Sequence, residues 1–88
     1  MEYGIILFDS THAAMNAEKV LLKEHKQPVR IITTPPKVRA TCGFALRYDI
    51  NSEQEIFELI KKTDLNYEGI VHASGKGLNL SYQQITID

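Results

Sequence analysis

The constraint that narrows this chain most is the order of its apolar runs: four short strand-like segments, with helical segments between the first and second and between the third and fourth. Tyr3 to Phe8 is apolar and β-branched, the pattern of a buried strand. It runs into Asp9-Ser10-Thr11, three residues that all make good helix N-caps. From His12 to Lys26 the composition is helical, and Ala13, Ala14, Ala17, Val20 and Leu21 fall on one face. The alanines predict a helix lying close against a sheet, with Met15 and Leu22 left over on the opposite side. Gln27-Pro28 ends it, because the residue before a proline is pushed out of the helical region.

Val29 to Thr33 is a second β-branched strand. The stretch from Thr34 to Thr41 contains Pro35 and Pro36, which cannot donate to a ladder, so it reads as a loop. Gly43 to Tyr48 predicts a third strand, in which Phe44, Leu46 and Tyr48 alternate with Ala45 and Arg47. Asp49 to Asn51 turns the chain. Ser52 followed by Glu55 has the spacing of a capping box, and Ile56, Phe57, Leu59 and Ile60 give the second helix its apolar stripe. Thr63 to Asn66 closes that helix, and Tyr67 to Ala73 is the fourth strand.

Two strand-helix-strand crossovers in this order, with right-handed connections, predict an α+β fold. The expected form is a ferredoxin-like βαββαβ sandwich, with both helices on one face of a four-stranded antiparallel sheet. Residues 1–73 suffice for it, and 74–88 form a C-terminal extension. There, after the turn at Ser74-Gly75-Lys76-Gly77, Leu78, Leu80 and Tyr82 alternate with polar residues, while Ile85 and Ile87 alternate in the other phase. That change of phase at Gln83-Gln84 predicts a bulge in an extra strand, paired within the chain or exchanged with a second subunit. Ile5 and Leu7 on one face of the first strand and Ile6 and Phe8 on the other give it two apolar faces. Since the helices cover only one, the tail strand or a homodimer partner is expected to shield the other.

With 88 residues there is room for one small domain. Ten Lys and Arg against eleven Asp and Glu give a net charge of -1, which lacks the basic surplus of a nucleic-acid-binding domain. Ile5 to Phe8, the longest run of large aliphatic or aromatic residues, is far below the ~20 residues of a membrane span. Glu2 stands where a signal peptide would start basic, so a cytoplasmic protein is expected. The single cysteine, Cys42, leaves no intramolecular disulfide, no CxxC redox pair and no multi-cysteine zinc site.

Cys42 is the centre of the candidate chemistry. In the predicted sandwich the first and second strands are parallel with the third between them, so the start of the third strand lies beside the end of the first. Cys42 is therefore expected to approach Asp9, Ser10, Thr11 and His12, thirty positions away. Unpaired N–H groups and the helix dipole there would lower a thiol pKa from its usual ~8.5. Arg39 would add positive charge, Thr41 flanks the thiol, His12 could accept or return a proton, and Gly43 leaves the backbone open to a bulky adduct. The bland alternative is a cysteine that packs as a small hydrophobe. Cys42 with His12 and Asp9 makes a poor metal site, and a Cys-His hydrolytic pair lacks an oxyanion hole. Gly75-Lys76-Gly77 is a turn rather than a phosphate loop. Arg30 and Arg47, on neighbouring strands, could bind an anion or a partner, or simply be solvated strand arginines.

Beyond pattern, four stretches carry a family resemblance. Phe8-Asp9-Ser10-Thr11-His12-Ala13-Ala14, Ala17-Glu18-Lys19-Val20-Leu21, Pro28-Val29-Arg30-Ile31-Ile32-Thr33-Thr34-Pro35 and Thr41-Cys42-Gly43-Phe44-Ala45-Leu46-Arg47-Tyr48 resemble the selenium/sulfur carrier-like family of small bacterial proteins. The likeness spans residues 3 to 72, and its most specific part is Cys-Gly-x-Ala-Leu-Arg at 42–47. The resemblance implies that Cys42 is the carrier residue of a non-catalytic protein. It would take sulfur or selenium from a donor such as a cysteine desulfurase and pass it to an acceptor enzyme, with no metal or cofactor. A single thiol suffices for this, because donor and recipient supply the other reactive groups. The competing expectation is a non-catalytic interaction or regulatory module.

Overall fold

A computed structural model describes residues 2–35, 38, 43–75 and 80–86. Its elements are β1 (Glu2–Leu7), α1 (Thr11–Glu18), β2 (Val29–Thr33), β3 (Phe44–Asp49), α2 (Glu53–Thr63), β4 (Gly69–Ser74) and β5 (Ser81–Ile85). The fold is mixed α+β, with two helices and a five-stranded antiparallel sheet in the order β2-β3-β1-β4-β5. Both β1 and β2 run antiparallel to β3, and are therefore parallel to each other, with β3 between them as expected.

Side chains alternate across a strand, so the sheet carries two apolar sets. Ile6, Phe8, Val29, Leu46, Tyr48 and Ile70 face the helices and pack with Ala14, Ala17 and Leu21 of the first helical segment and Ile56 and Ile60 of α2. The opposite set, Ile5, Leu7, Ala45, Val71 and Ala73, forms a second buried cluster. Val38 from the β2–β3 loop and Tyr3, Ile32 and Tyr82 pack against it. This face is thus shielded within one chain, with Ile5, Ala45 and Ala73 all at 0% exposure. Tyr82 of the C-terminal extension supplies part of the cover expected there.

β5 adds to the edge of the sheet at β4 without the expected bulge: pairing runs unbroken from Ser74–Ser81 to Ile70–Ile85. The change of apolar phase has another cause. Tyr82 stands opposite Ala73 and joins the second cluster, while Ile85 stands opposite Ile70 and joins the helix-side core. A strand on a sheet with two apolar faces can serve both.

Two helix ends differ from the sequence expectation. The first helix leaves regular α geometry at Lys19–Glu24, where it widens into π-helical turns, and His25 N–H reaches Val20 O at 3.2 Å. It ends at Glu24, and Lys26, at φ 55°, turns the chain away before Pro28. At α2 the Ser52 side chain makes no capping bond. Residues Ile50–Ser52 already form a 3₁₀ turn, so Ser52, at φ -99° and ψ 2°, lacks the extended backbone a cap needs. Asp49 takes that role three residues earlier, its Oδ1 accepting from Asn51 N–H at 2.9 Å. Glu55 is then released to accept from Gln27 Nε2 at 3.3 Å. Met15 and Leu22 are exposed, as their position off the apolar face requires, and so is Phe44 at the start of β3.

Candidate functional site

The candidate end of the sheet is assembled from the close of β1, the start of α1 and the base of the β2–β3 loop. Leu7 pairs with Ala45 and Thr33 with Phe44. The Thr34 N–H donates to the Gly43 carbonyl at 2.9 Å, one step beyond the ladder, and closes the loop at its neck. The Leu7 carbonyl accepts from Glu68 N–H at 2.7 Å, holding the close of β1 to the chain entering β4.

Past Leu7 the chain buries Phe8 and emerges at Asp9 and Ser10. Ser10 has the extended backbone of an N-cap, φ -150° and ψ 156°, and its Oγ accepts from Ala13 N–H at 3.1 Å. Its carbonyl accepts from Ala14 N–H at 3.2 Å. Ser10 is thus committed to starting the helix, and Thr11 and His12 are exposed in the first turn. The first-turn N–H groups of a helix have no intrahelical acceptor, and together they carry its positive dipole end.

Of the residues singled out from sequence, the structure brings Ser10, Thr11, His12 and Gly43 to one end of the sheet, because Leu7 and Ala45 are directly paired. Cys42, Arg39 and Thr41 lie outside the described residues. Among the described residues, a Cβ built at Gly43 would meet Thr34 Oγ1 at 3.8 Å, an ordinary contact that does not enforce glycine. Val38, within the same loop, bonds its N–H to Pro35 O at 2.9 Å and packs on the second apolar cluster. Among the described residues, no three His, Asp or Glu side chains gather as a metal set. Nor is any helix there long and apolar enough to cross a membrane.

One polar cluster escaped the sequence reading. Tyr48 on β3 is 1% exposed, and its hydroxyl donates to Glu53 Oε1 at 2.6 Å. The same carboxylate oxygen contacts Nε2 of His72 on β4. Burial first, then the bond to Glu53 and its charge, push the Tyr48 phenol far above the ordinary tyrosine value, so it stays a neutral donor. The three groups tie the first turn of α2 to two strands of the sheet. Gly4 makes room for them: it pairs with Tyr48 across β1–β3, and a Cβ there would sit 2.0 Å from Tyr48 Cζ. The available signal was a glycine inside an apolar strand, which marks a close approach.

Comparison with known proteins adds the family. The pattern of the family described as "Putative Se/S carrier protein-like" matches residues 3–72. A relative, the uncharacterized protein MJ0011 of Methanocaldococcus jannaschii, is 31% identical over 62 residues, 70% of this chain and 30% of that protein. The chain therefore spans about a third of that relative's length. No solved structure matches.

Proposed function

From the premise that the chain belongs to the Se/S carrier-like family, matched over residues 3–72, we propose that Cys42 carries sulfur or selenium between partner proteins. The family match is the observation that carries this reading. It runs from Tyr3 in β1 to His72 in β4 and includes the only cysteine of the chain.

The chemistry needs one nucleophilic sulfur. The Cys42 thiolate attacks the sulfane sulfur of a donor persulfide such as that of a cysteine desulfurase. A new S–S bond forms at Cys42, the donor S–S bond breaks, and the donor leaves as its own thiolate. A selenium donor would leave a selenosulfide by the same displacement. An acceptor enzyme reverses the exchange, so the carrier ends unchanged and is not a catalyst in the strict sense.

The positive end of α1 supports the same reading. Gly43, next to Cys42 in sequence, shares an end of the sheet with Ser10, Thr11 and His12, and a helix start favours thiolate over thiol. Arg39 and Thr41 would complete the setting. The frame we read as ferredoxin-like, with β5 added outside β4, and the compartment as the reducing cytoplasm, where a lone thiol stays free.

Alkylation of the native protein across pH separates this role from that of an interaction module. A carrier thiol reacts without denaturant, and its rate reaches half its maximum below the ~8.5 of a free cysteine. A thiol that reacts only on unfolding supports the module.

A further inference from the structure

We propose that the opposite end of the sheet holds a second site, an anion-binding cleft built on Arg30 and Arg47 for a small molecule bearing a phosphate or carboxylate group. The two arginines are directly opposite one another on β2 and β3 and share a face of the sheet. Like charges so placed are destabilising, since directly opposed Cβ atoms lie only about 5 Å apart. Neither guanidinium has an ion pair among the described residues, although Glu2 and Asp49 line the same cleft. Asp49 is occupied elsewhere, capping the turn at Asn51.

Arg47 is held in a fixed pose. Its Cζ lies 3.9 Å from the centroid of the Tyr3 ring, which orients the planar fork and leaves its N–H edges for a ligand. Around the pair is an open cleft of about 830 Å³, which also takes in Tyr3, Pro28, Tyr48 and Ile50. Two forks side by side match an oxyanion with several acceptor oxygens, and the apolar walls suit an organic body attached to it. A ligand anion would offset the repulsion between the two guanidinium groups. The cleft lies near the start of β1 and the end of β3, away from the neck of the Cys42 loop, and does not depend on the carrier role.

The test is a titration of the ¹⁵N-labelled full-length chain with inorganic phosphate and, separately, acetate, against chloride at matched ionic strength. Saturable shifts confined to Tyr3, Arg30 and Arg47 to Asn51 are expected with at least one of the two anions, and the tighter one names the ligand group. Arg30→Gln, at an exposed position, should keep the wild-type spectrum elsewhere while weakening binding by about tenfold. Its unliganded form should melt no lower than wild type, because a like-charge contact has been removed. Non-saturable or scattered shifts with both anions, or equal affinity in Arg30→Gln, would overturn the proposal.

Discussion

Tyr48 shows how much one side chain can fix. Its ring occupies the space that Gly4 leaves empty, and its hydroxyl meets a carboxylate that also contacts His72. Gly4→Ala should therefore cost about 1–3 kcal/mol, read as a lower urea midpoint, because the ring must leave its place. An unchanged midpoint would mean that the ring is not held there. Tyr48 also predicts a pH dependence. The unfolded tyrosine gives up its proton near pH 10 while the folded one keeps it, so above that pH unfolding releases a proton and rising pH favours the unfolded chain. Stability contributed below pH 10 is then lost at about 1.4 kcal/mol per pH unit. Tyr48→Phe should remove that slope from denaturation curves between pH 8 and 11, relative to wild type; an identical slope would contradict the assignment. The sequence announced Gly4 only as an oddity within an apolar strand. Nothing in it said that residues 48, 53 and 72 would converge, because that depends on the register of three strands and the entry angle of a helix.

Elements were legible where local chemistry and tertiary packing agree. The first helix begins at the cap that Asp9-Ser10-Thr11 advertises, and the strand order follows from the alternation of strands and helices. They were misread where two local solutions compete. Ser52 and Glu55 have capping-box spacing, yet Asp49 starts a 3₁₀ turn first and leaves Ser52 with helix-like angles. The contrast is measurable: Ser10→Ala should cost about 1 kcal/mol of stability, whereas Ser52→Ala should stay within about 0.5 kcal/mol. Equal losses at the two serines would restore the capping box. The π-helical turns at Lys19–Glu24 have no composition signal, and the supposed bulge in β5 came from assuming that its apolar residues share one face.

At the scale of the whole molecule, β5 and the loop bearing Val38 let a small chain close both faces of its sheet. Ending the chain after Gly75 should uncover the β4 edge, remove Tyr82 and Ile85 from the two cores, and lower the melting temperature. Sedimentation should then show more association in the truncated chain than in the full chain; a truncated chain as stable as the full one, with no added association, would refute this. The candidate site was legible from sequence to the extent that helix start and third strand were expected to meet, and Gly43 and Ser10 do share that end. Cys42 itself falls outside the described residues, so its role rests on the family and on chemistry. The most direct measurement is intact-mass spectrometry after mixing the chain with a cysteine desulfurase and cysteine. A gain of one sulfur atom on Cys42 is expected, reversed by a thiol reductant and absent from a folded Cys42→Ser variant. A wild-type chain that stays unmodified with every sulfur and selenium donor supplied, or a Cys42→Ser chain that gains the same mass, would contradict it.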